Sequence, residues 1–154
     1  MNTPPTPVVV RPAKAGDLEA LSGLLQVLFA LERDFAFDAD KARRGLSLLL
    51  DRDDALLLAA EAEGDVVGMC SVQTLISTAE GGPVGMVEDL VVAESWRGRG
   101  IGRLLLNELE NWAASRGLTR LQLLADASNL PTLDFYTRLG WSEMHLVVRR
   151  KLLG

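Results

Sequence analysis

The chain predicts an α/β fold with a mixed, mostly antiparallel central sheet and helices on both faces, and three features of the sequence carry that prediction. Two apolar runs, Ala55 to Glu61 and Val66 to Ile76, flank a Glu63-Gly64-Asp65 turn, and Gly81-Gly82-Pro83 separates the second from a third run, Val84 to Val92. Short apolar runs punctuated by turn residues read as an antiparallel meander. From Val84 to Ala125 the order is strand, glycine-rich loop, helix, strand, which makes the two flanking strands candidates for parallel neighbours with a right-handed crossover. Lys14 to Ala30 and Ile101 to Arg116 repeat their apolar residues at helical spacing.

Taken in order, Met1 to Pro7 holds three prolines and reads as a frayed arm, after which Val8 to Arg11 is a first strand broken by Pro12. The first helix places Leu18, Leu21, Leu25 and Leu28 on one face, with Asp17 near its start, where a carboxylate complements the helix dipole. Asp38 or Asp40 caps a second helix whose Ala42, Leu46, Leu49 and Leu50 share a face and whose Gly45 is a weak interior point. The connection from Glu32 to Asp40 is acidic and carries Phe35 and Phe37; charge runs of this kind are commonly just solvated. In the meander, Cys70 reads as a buried core thiol, since no base or metal ligand lies near it in sequence. The third helix buries Ile101, Leu105, Leu109, Trp112 and Ala113 and stops at Arg116-Gly117. Leu118 to Ala125 is then a buried strand, Asn129 to Leu139 a fourth helix ended by Gly140, and Trp141 to Leu152 one or two closing strands.

With 154 residues and 48% hydrophobic content the chain is expected to be a single domain, 1–154, able to bury a full core. Sixteen basic against twenty-one acidic residues give a net charge of −5, which disfavours a nucleic-acid or anionic-membrane surface and mildly favours cationic partners. A lone Cys70 excludes an internal disulfide, and neither a signal segment nor a bilayer-length apolar run is present, so the expected location is the cytoplasm. His145 is the sole histidine and is read as structural, as a histidine triad or multi-histidine metal site would rest on it alone.

The chemistry concentrates between Val87 and Arg116. A short apolar strand runs into Trp96-Arg97-Gly98-Arg99-Gly100-Ile101-Gly102, and that loop opens directly into a helix. The first N–H groups of a helix have no intrahelical partner and carry partial positive charge, so an anion fits there. Gly98, Gly100 and Gly102 can take positive φ and bring the backbone close to phosphate oxygens, while Arg97, Arg99 and Arg103 can add charge-assisted bonds. The bland alternative is a glycine-rich turn, which three alternate glycines interleaved with arginines disfavour. A dinucleotide fingerprint needs G-x-G-x-x-G close behind its strand, whereas Ala93 to Arg97 intervenes here, and only Asp126 speaks for it. The phosphate loop of nucleoside triphosphatases needs a lysine, and none lies near.

These residues resemble the GNAT superfamily of acyl-CoA N-acyltransferases. Its pyrophosphate signature, Q/R-x-x-G-x-G/A, is matched at every fixed position by Arg97 to Gly102, and Asn129 to Trp141 resembles the family's N-x-x-A/S/T-x-x-F-Y-x-x-x-G-F/W helix. The resemblance extends from Val8 to about Leu152. It implies a GNAT fold in which the strands ending near Val92 and Ala125 splay at the acyl-CoA cleft, and acetyl-CoA as co-substrate with no metal. Leu90, Val91, Val92, Arg97, Gly98, Arg99, Gly100, Ile101, Gly102 and Arg103 are then the coenzyme-binding residues, with Asn129 and Arg138 assisting. Phe135, Trp96 and Trp141 are expected to pack.

An alkylammonium with a pKa of about 10.4 must lose a proton before it attacks a thioester, and the departing thiolate must gain one. By resemblance Glu88, nine positions before Arg97, falls where small-amine and polyamine acetyltransferases carry a general-base glutamate, and Tyr136 matches the tyrosine that protonates the coenzyme's sulfur. On a regular strand Glu88 shares a face with Leu90 and Val92, and Asp89 with Val91. Asp34, Asp38 and Asp89 are expected to meet the acceptor, a small, cationic primary amine. The partners implied are that amine and a second copy of the chain in a homodimer, with no nucleic acid and no membrane. A protein lysine or N-terminal acetyltransferase and a non-catalytic acyl-CoA sensor are the alternatives; retention of both Glu88 and Tyr136 argues against the sensor.

Overall fold

A computed structural model describes residues 6–154. The expectation for the N-terminal arm falls mostly on residues 1–5, outside the described residues. The chain divides into two compact units, Met1–Leu124 and Ala125–Gly154. Among the described residues no helix is long and apolar enough to cross a membrane.

The first unit is a five-stranded sheet in the order β1 (Val9–Pro12), β2 (Ala55–Ala62), β3 (Asp65–Ser77), β4 (Gly82–Val92), β5 (Leu121–Leu123). The first three pairings are antiparallel and β4–β5 is parallel, as the strand-helix-strand order predicts. Glu63 and Gly64, both at positive φ, close the β2–β3 hairpin. Arg11 on β1 ties the sheet edge together: its guanidinium donates to Asp17 at 2.8 and 3.0 Å and to Glu61 at 2.8 Å. Asp17 therefore does more than complement the dipole of α1 (Leu18–Leu31), and the Arg11 bond holds its carboxyl below the usual range.

Helices cover both faces. Met69 packs with Leu21, Leu24 and Leu25 of α1, Leu46 of α2 (Ala39–Leu50), and Leu57, Ala59 and Val91 of the sheet. On the opposite face lies α3 (Ile101–Ser115), which buries Ile101, Leu105, Leu106, Leu109 and Ala113; Trp112 is only half-buried. Gly68 permits this approach, since a Cβ there would lie 3.3 Å from both Ile101 and Leu105 side chains. Cys70 sits on the α3 face with its Sγ 4.0 Å from the Leu105 carbonyl, and burial pushes its thiol up to about 12, leaving no thiolate for chemistry. Gly85 does for β5 what Gly68 does for α3: a Cβ at that position would stand 2.6 Å from Leu121.

Two expectations need correction. The strand expected over Leu118 to Ala125 is three residues long; Thr119 and Arg120 still bond Pro83 and Gly85 of β4, but pairing ends at Leu123. The closing strands expected over Trp141 to Leu152 do not form. Leu146, Val147 and Val148 are 77%, 76% and 62% exposed, so an apolar run that reads as a strand has no ladder to complete and buries almost nothing.

The second unit contains α4 (Leu130–Arg138). Asn129 caps it by accepting from the Thr132 N–H at 3.3 Å, and Gly140 at φ 92 ends it. Trp141 returns to the helix, its N–H donating to the Tyr136 carbonyl at 3.0 Å, and its ring meets Tyr136 edge-on at 6.0 Å.

Candidate active site

β4 leads through a single 3-10 turn, Glu94–Trp96, into the glycine loop. Gly98 and Gly100 stand at φ 75 and 80, conformations that cost side-chain-bearing residues energy, whereas Gly102 is simply helical in the first turn of α3. Two of the three glycines thus carry the conformational requirement. Gly100 is the N-cap of α3 and offers no capping side chain, so the leading amides of the helix are not satisfied by a cap. Arg97 is fastened to the end of β4, its Nε donating to the Val92 carbonyl at 3.0 Å. Arg99 donates to the Ser95 carbonyl at 3.3 Å and lies 4.5 Å over the Trp96 ring, which gives that tryptophan the packing role expected of it. Arg97, Arg99 and Arg103 are exposed. Uncapped amides, two left-handed glycines and three guanidiniums are a donor set that fits a diphosphate.

Beside this loop the sheet opens. β5 pairs only with Gly85, Met86 and Val87, while β4 runs on to Val92. The backbone from Glu88 to Val92 therefore has no β5 partner, which is the splay expected of the cleft. Val91 pairs with Met69 of β3 and sends its side chain into the core; Leu90 and Val92 are partly buried.

The open span also contains a bulge. Ser71 pairs with Glu88 and Met69 with Val91, so Asp89 and Leu90 both stand opposite Cys70 alone. Met69 and Ser71 share a face of β3, hence Glu88 shares its face with Val91 and not with Leu90 and Val92. This corrects the alternation expected from sequence; the inserted residue inverts it. Asp89 is the residue that absorbs the kink, at φ 56. Glu88 is exposed and its carbonyl accepts from the Ser71 hydroxyl at 3.2 Å. Asp89 is partly buried, and burial, with repulsion from Glu88 and Glu32, pushes its carboxyl up to about 6.

Glu32 begins the α1–α2 connection, and it is the acidic residue of that stretch that acts on β4. Asp38 is the N-cap of α2, accepting from the Lys41 N–H at 3.1 Å, which lowers its carboxyl; Asp40 lies 3.4 Å from Arg43, and Asp34 is exposed in the connection. An aromatic group not foreseen from the sequence holds this segment. Phe29 stacks on Phe35 at 5.7 Å and meets Phe37 at 6.5 Å, and Phe29 and Phe37 pack on the core that includes Val91. Phenylalanines six and eight residues apart across a helix end were the available signal.

In the second unit, Tyr136 lies on α4 between Phe135, 5.3 Å away, and Trp141. Asn129 serves the helix start, and Arg138 pairs with Asp134 one turn earlier at 2.8 Å. His145 is exposed.

Comparison with known proteins accords with this geometry. The profile of the Acetyltransferase (GNAT) family matches residues 24–141. An uncharacterised N-acetyltransferase of Methanocaldococcus jannaschii is 32% identical over 107 residues, 69% of this chain and 47% of that protein. The chain thus spans about half the length of that relative. A type 1 aminoglycoside N(6')-acetyltransferase of Stenotrophomonas maltophilia is 30% identical over 115 residues, 72% of this chain and 75% of that one. An aminoglycoside N-acetyltransferase crystallised with CoA superposes with a TM-score of 0.84, covering 99% of both chains at 19% identity, a likeness of fold.

Proposed function

Because the chain belongs to the Acetyltransferase (GNAT) family, we propose that it is an N-acetyltransferase that moves the acetyl group of acetyl-CoA to a primary amine of a small, cationic acceptor. The observation that carries this reading is the preformed loop: Gly98 and Gly100 already left-handed, Arg97 already anchored to Val92, and the amides of α3 uncapped beside the open edge of β4. Donors fixed before a ligand arrives lose little freedom on binding it.

In this reading Arg97, Gly98, Arg99, Gly100 and Arg103 hold the coenzyme's diphosphate, and the edge of β4 from Glu88 to Val92, which β5 leaves uncovered, orients the pantetheine and thioester. A carboxylate of β4 takes the ammonium proton; the resemblance assigns that role to Glu88. Tyr136 protonates the leaving sulfur, Asn129 fixes the start of the helix that carries it, and Arg138 assists at the coenzyme's outer phosphate. For the acceptor, Asp34, Asp38 and Asp89 supply negative charge. The net charge of −5, the carboxylates Glu32 and Glu88 acting on Asp89, and the aminoglycoside activity named for the Stenotrophomonas relative favour a polycationic amine, aminoglycosides first. We propose a homodimer as the assembly, on the strength of the open edges at β1 and β5 and the exposed apolar tail at Leu146 to Val148; light scattering tests it.

The experiment is a release assay for free CoA with acetyl-CoA and a panel of aminoglycosides, polyamines, amino acids and peptides. Saturable turnover with an aminoglycoside or polyamine is expected. Turnover confined to peptides would move the assignment to a protein acetyltransferase, and coenzyme binding without any turnover would make it a sensor.

A further inference from the structure

The bulge in β4 puts an aspartate where the backbone favours glycine. Among the described residues the non-glycine positions at positive φ are Glu63, in a hairpin turn, and Asp89, inside a strand. At Gly98, Gly100, Gly117 and Gly140 the chain meets the same requirement with glycine. Aspartate, with asparagine, reaches this region at less cost than other side-chain-bearing residues but is still uncommon there, and residues in such conformations gather at functional sites. Asp89 also lies within the span of β4 that β5 leaves unpaired, the edge along which the thioester is proposed to lie. Its carboxylate is partly buried, and the charged groups acting on it, Glu88 of its own strand and Glu32 from the α1–α2 connection, are both acidic. A position with two acidic neighbours attracts a cation. Glu88, by contrast, is exposed to water.

We infer that Asp89, and not Glu88, is the carboxylate that takes the proton from the acceptor's ammonium group. The inference rests on the N-acetyltransferase reading and deepens it. Asp89 arrives ionised, binds the ammonium, takes one proton from nitrogen and returns it to bulk water. The neutral amine then forms the C–N bond to the thioester carbonyl carbon, and the C–S bond breaks with its electron pair going to sulfur. Nitrogen's second proton leaves as the tetrahedral intermediate collapses and balances the one that sulfur gains through Tyr136. A carboxyl raised to about 6 suits a general base, being still ionised at neutral pH yet more basic than an ordinary aspartate.

The test compares Asp89→Asn, Asp89→Gly and Glu88→Gln with the parent, using an amine that the parent acetylates. At pH 7, Asp89→Asn should lose about 10²- to 10³-fold in kcat/KM, within the range for a positioned base. It should lose the acidic limb near pH 6 and recover in part as pH nears the amine's own pKa of about 10.4. Its affinity for acetyl-CoA should stay within about threefold, and Glu88→Gln should lose less than Asp89→Asn and keep the acidic limb. Asp89→Gly should be as inactive as Asp89→Asn yet melt higher than the parent, a combination that a purely structural aspartate does not give. Independently of turnover, the Asp89 carboxyl carbon should titrate near pH 6 by NMR. An Asp89→Asn variant with parental kcat/KM and an unchanged limb, one that no longer binds acetyl-CoA, or a carboxyl titrating in the ordinary range would overturn the inference. If the parent is active and Asp89→Asn remains so, only the inference falls; if the parent acetylates nothing, the N-acetyltransferase reading falls and takes the inference with it.

Discussion

Asp89 makes a prediction about stability that is separate from catalysis. Its folded pKa of about 6 against an ordinary 3.8 means that the folded protein binds this proton more tightly than the unfolded chain does. Between those two values stability must therefore fall as pH rises, and above about 6 the full cost of carrying the charge remains. At about 1.36 kcal/mol per pH unit the cost is bounded near 3 kcal/mol, and partial solvation brings it to between about 1 kcal/mol and that bound. Asparagine has the same shape, cannot ionise, and is among the residues that tolerate left-handed backbone. Asp89→Asn should thus be more stable than the parent by about 1 to 3 kcal/mol at pH 7.5, with the difference shrinking towards zero at pH 4. Urea unfolding at half-unit steps from pH 4 to 8 measures it, and each kcal/mol should also raise Tm by about 2 to 4 °C. Equal stability at pH 7.5 with parallel pH curves would refute the reasoning.

Tyr136→Phe should leave stability and acetyl-CoA affinity nearly unchanged while turnover falls about 10²-fold; single-turnover kinetics read this, and a loss under about threefold would remove the hydroxyl from the mechanism. Arg11→Ala should destabilise the fold by about 2 kcal/mol, because it removes the charge-assisted bonds that Arg11 gives Asp17 and Glu61. Asp17 is held low by Arg11, so its contribution is present above the ordinary carboxylate value of 3.8 and is lost as pH falls through the lower folded value; acid titration of the two proteins should converge there. Neutralising Asp34, Asp38 and Asp40 together to asparagine should raise KM for a polycationic amine and flatten its salt dependence without weakening coenzyme binding. Asparagine also caps helices, so α2 should persist; steady-state kinetics at low and high ionic strength check it.

Much of the fold was legible because its signals are local. The Glu63-Gly64 hairpin, the Asn129 cap and the Gly140 stop each depend on one or two residues whose backbone preferences are strong. The buried face of α3 followed from its period, apart from Trp112, which is only half-buried, and Leu106, which lies beside Leu105 and falls outside a narrow stripe. The bulge was not legible, since a period-two pattern has no mark for one inserted residue, and the inversion it causes moved Glu88 and Asp89 to unexpected places. A signal was present all the same: adjacent carboxylates between Val87 and Leu90 cannot both reach solvent from a regular strand buried on one face. The tail from Trp141 onward failed for the opposite reason. Strand propensity in Leu146 to Val148 is plain, but a strand exists only with a partner, and partners are not a local property.

The loop that opens α3 is the seat proposed for the coenzyme's diphosphate, and calorimetric titration of acetyl-CoA into the parent, Arg97→Ala and Gly100→Val tests it most directly. Gly100→Val forces a β-branched residue to φ 80 at the N-cap, and Arg97→Ala removes both a guanidinium and the bond to Val92. Each should weaken acetyl-CoA by about tenfold or more, corresponding to the roughly 1.5 kcal/mol or more of a charge-assisted hydrogen bond, while both variants remain folded. Parental affinity in both folded variants would contradict the assignment of this loop to the diphosphate.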